Sequence, residues 1–552
     1  MSDETPRIVF FGSGIGTEAA PEDFGNKASV LTQMSGQGIP VPPGFALPVD
    51  LCEEYFRNGE ILPDDVPELL HQGIAFIERA TGTRYGAGRR PLLVSARSGA
   101  PVSMPGVMET ILNIGINRNT LRGLIAQTGN PKFAWDTYRR FLENFGTTVF
   151  SHDPGAYRKI MRGVMDEERV PDESGLDFAA LRVIAEQYER LYSRSNGNRL
   201  PEDVFTQLEL ATSAIFHSWH SPRADKFRSM HLVAGARGTG VTVQAMVYGN
   251  LGALSGAGVA FSRNPWTGEK NLLVDFRFGG QGEDVVSGDM GAVSQQEFAA
   301  RIPLAARELS ETAQKLESLY RDMQDIEFTV QEGKLYILQS RSGKRAPLAA
   351  LKIAVDLVGE NVIQKDEALD RIREIDPASL TIQNIVTAEA PLATGISASM
   401  GVASGKIVLT SERASELGKN SPVILVRETA TPDDIQGIGA CAGILTAKGA
   451  RTSHAAVVAR QMGKVCIVSC EKMMIDPTRR SCTFPGRVLY EGDGITLDGR
   501  TGRVYAGIIP VMTERPTELI EQLLQWKDQG SGQRRDPARG PAPSDPEPIE
   551  RS

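Results

Sequence analysis

A histidine follows two hydroxyl residues in the segment Gly443–Ser469, which reads GILTAKGARTSHAAVVARQMGKVCIVS. Thr452 or Ser453 is a good N-cap, so the pattern predicts that a helix begins here, with His454 in its first turn. Free N–H groups at a helix start bind anions. A histidine with an ordinary pKa of about 6.5 is about three-quarters neutral at pH 7, and the positive end of the helix dipole favours the neutral form further. A neutral imidazole at such a place can attack a phosphoryl group. A lone capped core histidine is the alternative, and the surrounding Gly-Ala-Arg-Thr-Ser-His-Ala-Ala favours the nucleophile.

The elements around this histidine follow from the apolar pattern. Gly443–Thr446 is predicted as a strand, Ala455–Arg460 as the helix behind the cap, and Val465–Val468 as a second strand. A strand, a glycine-containing turn and a helix start would place His454 at the end of a sheet, where the helix dipole acts on it.

Two carboxylates could form a metal site elsewhere. Met323–Phe328 alternates in polarity, so Asp325 and Glu327 are expected on the same face of a strand. Such a pair suits a hard cation such as Mg²⁺ that bridges phosphates. For an isolated Asp-x-Glu, a solvated strand face would be the favoured interpretation.

Cationic residues lie at two further element ends. Lys27 stands in a Gly-Asn-Lys turn before a predicted helix, Ala28–Met34, where it could hold a phosphate, although most surface lysines are only solvated. The apolar strand Leu92–Ala96 ends at Arg97 and leads into Ser103–Thr110, whose small residues could wrap a polyphosphate with backbone N–H groups.

Composition bounds the class of protein. The chain has 552 residues, 41% of them hydrophobic and 23% charged, which is typical of several globular domains. A net charge of −8 argues against a nucleic-acid binder. The five cysteines lack paired CxxC spacing, so buried thiols are expected rather than a metal site. His217 and His220 are expected to pack with their aromatic neighbours rather than to bind a metal. No signal peptide or membrane span is recognised, so we expect a cytoplasmic protein.

The chain is organised in successive regions of different pattern. Residues 115–230 are predicted to be helix-rich, residues 238–345 to be mostly strands, and residues 346–385 to be helical. Pro391–Met400 is expected to be a flexible approach to a second domain and a hinge. The stretch from Asp528 onward lacks an apolar pattern, so it is expected to be disordered.

Several of these motifs together resemble the pyruvate phosphate dikinase and phosphoenolpyruvate synthase family. The run Thr452–Gly463 is similar to the family's phosphohistidine loop, G-G-x-T-S-H-A-A-V-V-A-R-x-M-G-x-P. Arg451 stands at the variable position, whereas Ala450 replaces the second glycine and Val465 replaces the proline. The Gly-Asn-Lys turn, the Ser-Ala-Arg-Ser-Gly-Ala strand end and the Ser-Met-Pro-Gly loop also occur in the family's order. Pro101 stands where the family has a second arginine, which leaves inorganic phosphate as co-substrate in doubt.

The resemblance implies an α/β and α+β multidomain fold. It consists of an ATP-grasp nucleotide-binding domain at 1–345 with a helical insertion at about 115–230, a helical linker at 346–390 and a swivelling β/β/α phosphohistidine domain at 391–510. A short helix and a disordered tail would occupy 511–552.

The resemblance also implies the roles of site residues. The implied catalytic residues are His454, Thr452, Lys27, Arg97 and Arg341. Those expected to contact ATP are Lys27, Arg97, Gly106, Thr110, Arg140, Gln244, Met246, Val247, Gln281, Glu283, Gln339 and Arg341. Asp325 and Glu327 would hold Mg²⁺.

The activity implied is an AMP-forming transfer of a phosphoryl group from ATP to His454 and on to a small-molecule acceptor that the sequence does not name. The alternatives are a carrier subunit whose acceptor-binding domain is a separate protein, and an inactive ATP-binding module. Family members continue into a (β/α)₈ barrel that binds pyruvate, and no motif after Gly507 resembles it. We therefore expect no phosphoenolpyruvate synthesis by this chain alone. The sequence leaves open a homodimer and whether water or phosphate takes the γ-phosphoryl group.

Overall fold

The computed structural model describes residues 6–533 except 13, 102–103, 105–107, 195–198, 231–236, 283–292, 294, 377–379, 388, 432–433, 450 and 452, with only the backbone of 194, 230, 454, 457, 461 and 527–533. Residue packing divides the chain into two units. The first runs to Ala260 and includes Val274–Leu316 and Asp325–Arg341. The second contains Phe261–Leu273, Glu317–Gln324 and the chain from Ser342 onward.

Twelve strands occur in the described residues up to Ser342. They are β1 Val9–Gly12, β2 Ile15–Gly16, β3 Gly44–Leu47, β4 Arg84–Tyr85, β5 Pro91–Leu92, β6 Val94–Gly99, β7 Thr110–Ile114, β8 Gly240–Ala245, β9 Gly256–Phe261, β10 Leu273–Phe278, β11 Gln324–Gln331 and β12 Lys334–Ser342. Six of them form a sheet in the order β2-β1-β3-β8-β6-β7, and four form a sheet in the order β10-β9-β11-β12.

The helices of the same region alternate with these strands along the chain. They are Pro21–Gly36, Asp50–Arg57, Val66–Thr81, Arg118–Thr128, Pro131–Val149, Pro154–Glu168, Phe178–Arg194, Val204–Ser218, Pro222–Met230, Gln295–Arg301 and Pro303–Tyr320, with a 3₁₀ turn at Glu173–Gly175. The predicted helix-rich region 115–230 is confirmed. The described residues of 238–345 contain five strands, as the prediction of mostly strands expects, and two helices, Gln295–Arg301 and Pro303–Tyr320, which it did not foresee.

The helical region has a core of aromatic side chains. Pro131–Val149 starts where the Asn130 side chain accepts a hydrogen bond from Phe133 N–H at 3.0 Å, and its Phe141 and Phe145 are fully buried. Burying a phenylalanine contributes roughly 1.5–3 kcal/mol. This packing attaches the helices to β6 and β8 through one continuous apolar cluster.

Thirteen further strands lie in the described part of the second unit. They are β13 Ile382–Ile385, β14 Ala393–Thr394, β15 Ile396–Ser399, β16 Val402–Val408, β17 Val423–Arg427, β18 Gly443–Thr446, β19 Val465–Val468, β20 Met474–Asp476, β21 Ser481–Phe484, β22 Arg487–Tyr490, β23 Gly494–Asp498, β24 Arg503–Ala506 and β25 Val511–Glu514. The helices there are Pro347–Gly359, Lys365–Arg371, Ser411–Leu417, Ile435–Ala440, His454–Gln461 and Thr517–Gln533.

Eight of these strands form one sheet in the order β14-β24-β23-β16-β17-β18-β19-β15. The alternation of β17 shows its two faces: Ile424 belongs to the apolar cluster that includes Cys482 and Leu489 of the small sheet β20-β21-β22, whereas Leu425 belongs to the cluster that includes Ala456 of the helix His454–Gln461. The sheet is therefore covered by strands on one face and by helices on the other.

The two edge strands of this sheet are joined by one residue. Gly395 lies between β14 and β15, donates its N–H to Gly502 O at 2.8 Å, and would place an added Cβ 2.6 Å from Val468 O. The sheet is consequently rolled until its opposite edges meet at Gly395. The prediction of a flexible approach at Pro391–Met400 is wrong for β14 and β15, because pairing across the sheet makes these residues strands.

The region near the end of the described chain also differs from expectation. Ile382–Ile385 is a strand paired with Val511–Glu514, within a stretch predicted to be helical. The prediction of disorder from Asp528 is wrong up to Gln533, because the helix Thr517–Gln533 continues there from a buried Leu523 and Trp526. Residues after 533 lie outside the described ranges.

Other expectations about composition can be compared with the structure. All five cysteines are buried and carry free thiols, as expected. Within the described ranges, no helix combines the length and apolar character that a membrane crossing requires. The His217 and His220 side chains are more than half exposed and stand near Glu60 and Asp225 respectively.

A glycine brings the first helix against β6. Gly25 interrupts the helix Pro21–Gly36 with a φ of +79°, and an added Cβ would lie only 1.7 Å from Gly99 O. The next residue, Asn26, donates its N–H to Ala100 O at 3.1 Å. The left-handed conformation and the close backbone approach both require glycine at this position.

We predict that Gly25→Ala lowers the free energy of unfolding by about 1–3 kcal/mol, because the new Cβ collides with a carbonyl in a strained backbone conformation. Urea denaturation followed by circular dichroism measures the change. Gly36→Ala in the same helix is the control, since its Cβ would meet nothing within 4 Å. Equal stability of the two variants would contradict the close contact.

Candidate functional site

Lys27 lies two residues after the helix interruption and reaches back to β6. Its Nζ donates a hydrogen bond to Ser98 O at 3.0 Å. Burial and, to a smaller extent, the nearby Arg97 lower the pKa of Lys27 from its ordinary value to about 7, against an opposing effect of Glu327. A cation this close to its neutral form is poised to take up a proton when a polyanion arrives.

Arg97 and Thr110 occupy neighbouring strands beside Lys27. They are directly opposite each other in the β6-β7 ladder, and Arg97 is opposite Thr242 on the other side. The Arg97 side chain is partly buried. Because β8 and β7 flank it, the position of Arg97 is fixed by the sheet and not by a loop.

Asp325, Glu327 and Arg341 form a charged group on β11 and β12. Arg341 Nε donates to Asp325 Oδ2 at 2.9 Å, and its Nη2 lies 3.8 Å from Glu327 Oε1. Burial lowers the pKa of Arg341, but the two carboxylates raise it more, so the net shift is upward. The predicted placement of both carboxylates on one face is confirmed. Gln339 is two residues before Arg341 on β12 and is partly buried.

These residues form one electrostatic cluster, because Glu327 acts on both Lys27 and Arg341. Three cations and two carboxylates suit a polyphosphate accompanied by a divalent cation. No group of three or more His, Cys, Asp or Glu residues with metal-binding geometry occurs among the described residues. Two carboxylates nevertheless fit Mg²⁺, which usually completes its shell with phosphate oxygens and water.

Five other residues with an expected nucleotide contact lie in the same unit. Gln244 on β8 is 1% exposed, and its Nε2 donates to Pro42 O at 3.0 Å, so its side chain is part of the core. Met246 and Val247 follow β8, where Met246 N–H donates to Leu93 O at 3.0 Å. Arg140 Nε donates to Asp136 Oδ2 at 3.0 Å, and Gln281 is buried after β10.

The predicted histidine helix begins at His454 in the structure. Ser453 is the cap, and its Oγ accepts a hydrogen bond from Ala456 N–H at 3.4 Å. Ser469 Oγ donates to Gly449 O at 2.5 Å and fixes the preceding turn. Gly106, Glu283 and Thr452 lie outside the described residues, and for His454 the backbone alone is described.

Sequence reasoning missed two features of the cluster. Ser98 contributes its carbonyl oxygen to Lys27, a role that depends on no side chain and leaves no signal in the sequence. Gly25 brings Lys27 to that carbonyl; the sequence pointed to the Gly-Asn-Lys turn but not to the close approach of Gly25 to Gly99, which lies far away in the chain.

Two parts of the chain match the models of known protein families. Residues 58–304 and 294–360 match the model of the pyruvate phosphate dikinase AMP/ATP-binding domain, and residues 419–502 match the mobile domain of PEP-utilising enzymes. Lys27 precedes the matched range, whereas the carboxylate pair and the histidine helix lie inside the matched ranges.

Individual relatives extend the similarity to almost the whole chain. Pyruvate, phosphate dikinase of Clostridium symbiosum is 39% identical over 92% of this chain and 58% of its own length. Pyruvate, phosphate dikinase 2 of Zea mays is 40% identical over 95% of this chain and 60% of its own length. The chloroplastic enzyme of Flaveria pringlei is 39% identical over 95% and 55% respectively. The chain thus spans little more than half the length of these relatives.

We predict that Lys27 titrates near pH 7, because burial and Arg97 disfavour its charged form. Competitive acetylation at a series of pH values, read by mass spectrometry of the Lys27 peptide, measures this. Arg97→Met should move the midpoint upward. A wild-type midpoint close to the ordinary lysine value of about 10.4 would contradict the prediction.

Proposed function

This chain belongs to the pyruvate phosphate dikinase family, and on that premise we propose that it is an AMP-forming phosphotransferase that carries a phosphoryl group from ATP on His454. The observation that carries the proposal is the joint cluster of Lys27, Arg97, Asp325, Glu327 and Arg341, together with a helix that begins at the histidine. The first provides a place for the polyphosphate, and the second provides an acceptor.

We assign ATP binding to residues 1–345 and the carrier role to residues 391–510, with 346–390 as the linker. The ranges matched by the family models, 58–360 and 419–502, support this division. The remaining predicted nucleotide contacts belong to the same proposal: Gly106, Thr110, Arg140, Gln244, Met246, Val247, Gln281, Glu283 and Gln339. Lys27, Arg97 and Arg341 would neutralise the phosphates, since phosphoryl transfer is catalysed mainly by positioning and charge.

The chemical step is a displacement at the β-phosphorus. An imidazole nitrogen of His454 forms a bond to that phosphorus while the bond to the α–β bridging oxygen breaks, and the electron pair leaves with AMP. The helix start, where Thr452 and Ser453 precede the histidine, favours the neutral imidazole that this attack needs. Water or inorganic phosphate would take the γ-phosphoryl group.

Asp325 and Glu327 would hold Mg²⁺ with the ATP phosphates. When bound, the ion would neutralise charge on the phosphate oxygens. Arg341 contacts both carboxylates, and it would exchange them for phosphate oxygens when the nucleotide binds. Its planar guanidinium is suited to either partner.

The second acceptor is proposed to be a small molecule, reached by rotation of the carrier domain. Its binding site would belong either to this chain or to a separate acceptor-domain protein. An inactive relative is a poorer explanation. A chain that binds no polyphosphate would not need Lys27 and Arg97 placed where they repel each other. Assays with pyruvate and other candidate metabolites, each added to the phosphorylated protein, would identify the acceptor.

Incubation with Mg²⁺ and ATP labelled at the β position should give about one acid-labile, base-stable phosphoryl group per chain. His454→Ala should abolish the label, because no nitrogen nucleophile remains. His217→Ala is the control, since that histidine is exposed and far outside the matched loop. Equal labelling of His454→Ala and wild type would refute the assignment.

Asp325→Asn and Glu327→Gln should each slow this labelling by about 10²-fold or more, because each removes charge that holds the cation at the phosphates. The rate is measured in single turnover across a series of Mg²⁺ concentrations. Glu332→Gln, at the exposed turn after β11, is the matched control. Wild-type rates in both site variants would exclude a direct metal role.

A further inference from the structure

Trp266 is a buried aromatic residue with two arginines at its ring. It lies in the connection between β9 and β10, is 4% exposed, and packs its ring edge-to-face with Phe261. The Cζ atoms of Arg451 and Arg460 each lie 5.7 Å from the centre of its ring. That distance is within the range of a cation–π interaction.

The loop that presents Trp266 is held at both ends. Asn264 Oδ1 accepts hydrogen bonds from the N–H groups of Trp266 and Thr267 at 2.9 and 3.1 Å, and Asn264 N–H donates to Glu269 O at 2.9 Å. Arg263, fully buried before this turn, donates from Nη2 to Glu317 Oε1 at 2.6 Å and to Glu360 Oε2 at 2.7 Å. The indole is therefore carried on a rigid support.

The two arginines belong to the segment that carries the histidine. Arg451 stands three residues before His454 and Arg460 six residues after it. Arg451 Nε donates to Ser397 O at 3.1 Å, and Arg460 Nη2 donates to Arg451 O at 2.7 Å. Whatever fixes the two guanidinium groups thus also fixes the backbone at the entrance and the last turn of the histidine helix.

We propose that Trp266 is a positioning residue whose ring holds Arg451 and Arg460 and thereby fixes the loop of His454 for phosphoryl transfer. This inference rests on the proposed function of His454. An aromatic face suits the task because it attracts two cations without adding a negative charge, whereas a carboxylate at the same place would repel the incoming phosphates. A planar ring and planar guanidinium groups also lose little conformational entropy when they stack.

The kinetic test compares Trp266→Leu and Trp266→Phe in single-turnover labelling of His454 from β-labelled ATP. Leucine keeps apolar bulk but lacks the ring, so we expect labelling to slow by about 2- to 30-fold, as the strength of a cation–π contact implies. Phenylalanine should restore most of the rate, and ATP affinity should stay unchanged. Trp219→Leu is the matched control, because Trp219 is also buried and has Arg228 Cζ 4.0 Å from its ring centre.

An unchanged rate in Trp266→Leu, or equal slowing in the leucine and phenylalanine variants, would overturn the proposal. Slowing by Trp219→Leu to the same extent would also overturn it, since the effect would then be one of stability alone. The expected result is slowing that is specific to loss of the Trp266 ring.

Fluorescence tests the contact independently of catalysis. In a chain that keeps Trp266 and has phenylalanine at the other three tryptophans, Arg451→Met should shift the emission, because a charge leaves the ring face. Arg479→Met, whose side chain is 83% exposed, is the control. No shift would refute the contact. A clear shift in a protein that ATP never labels would mean that the contact holds and the proposed function fails.

Discussion

The approach of Gly25 to the backbone of Gly99 determines where the charge of Lys27 can lie. Any side chain at Gly25 would push the first helix away from β6, and the ammonium group would no longer reach Ser98 O. The pKa of Lys27 falls there because the site is buried and, second, because Arg97 lies beside it. The backbone contact between Gly25 and Gly99 thus sets the position of the Lys27 charge within the cluster. A bound polyanion would relieve the repulsion between Lys27 and Arg97.

The opposite side of the cluster is balanced differently. Asp325 and Glu327 already have a cationic partner in Arg341, so they are not two uncompensated charges in a partly buried place. Neutralisation by an arginine lowers the cost of holding two carboxylates in a partly buried place, and an arginine can also pair with phosphate. On the proposed function, binding of the nucleotide exchanges one set of ion pairs for another and does not create charge in a new place.

The sequence predicted the parts of this arrangement that depend on local pattern. Alternation placed Asp325 and Glu327 on one face, and the Thr-Ser cap placed His454 at a helix start, because both follow from the period of one element. The strands β14 and β15 were missed, since Gly395 and the small residues around it resemble a loop until their partners across the sheet are known. The lowered pKa of Lys27 and the partners of Trp266 arise from residues distant in sequence, so no local pattern could reveal them.

The meeting of the sheet edges at Gly395 has a consequence for solubility. An open sheet of eight strands would present two rows of unpaired N–H and C=O groups, which are templates for aggregation. Here β14 and β15, the two edge strands, are consecutive in the chain, so the two edges come together at Gly395. On the proposed function the carrier domain would move between two sites, and a sheet closed at Gly395 would offer few unpaired strand edges to neighbouring molecules while it does so.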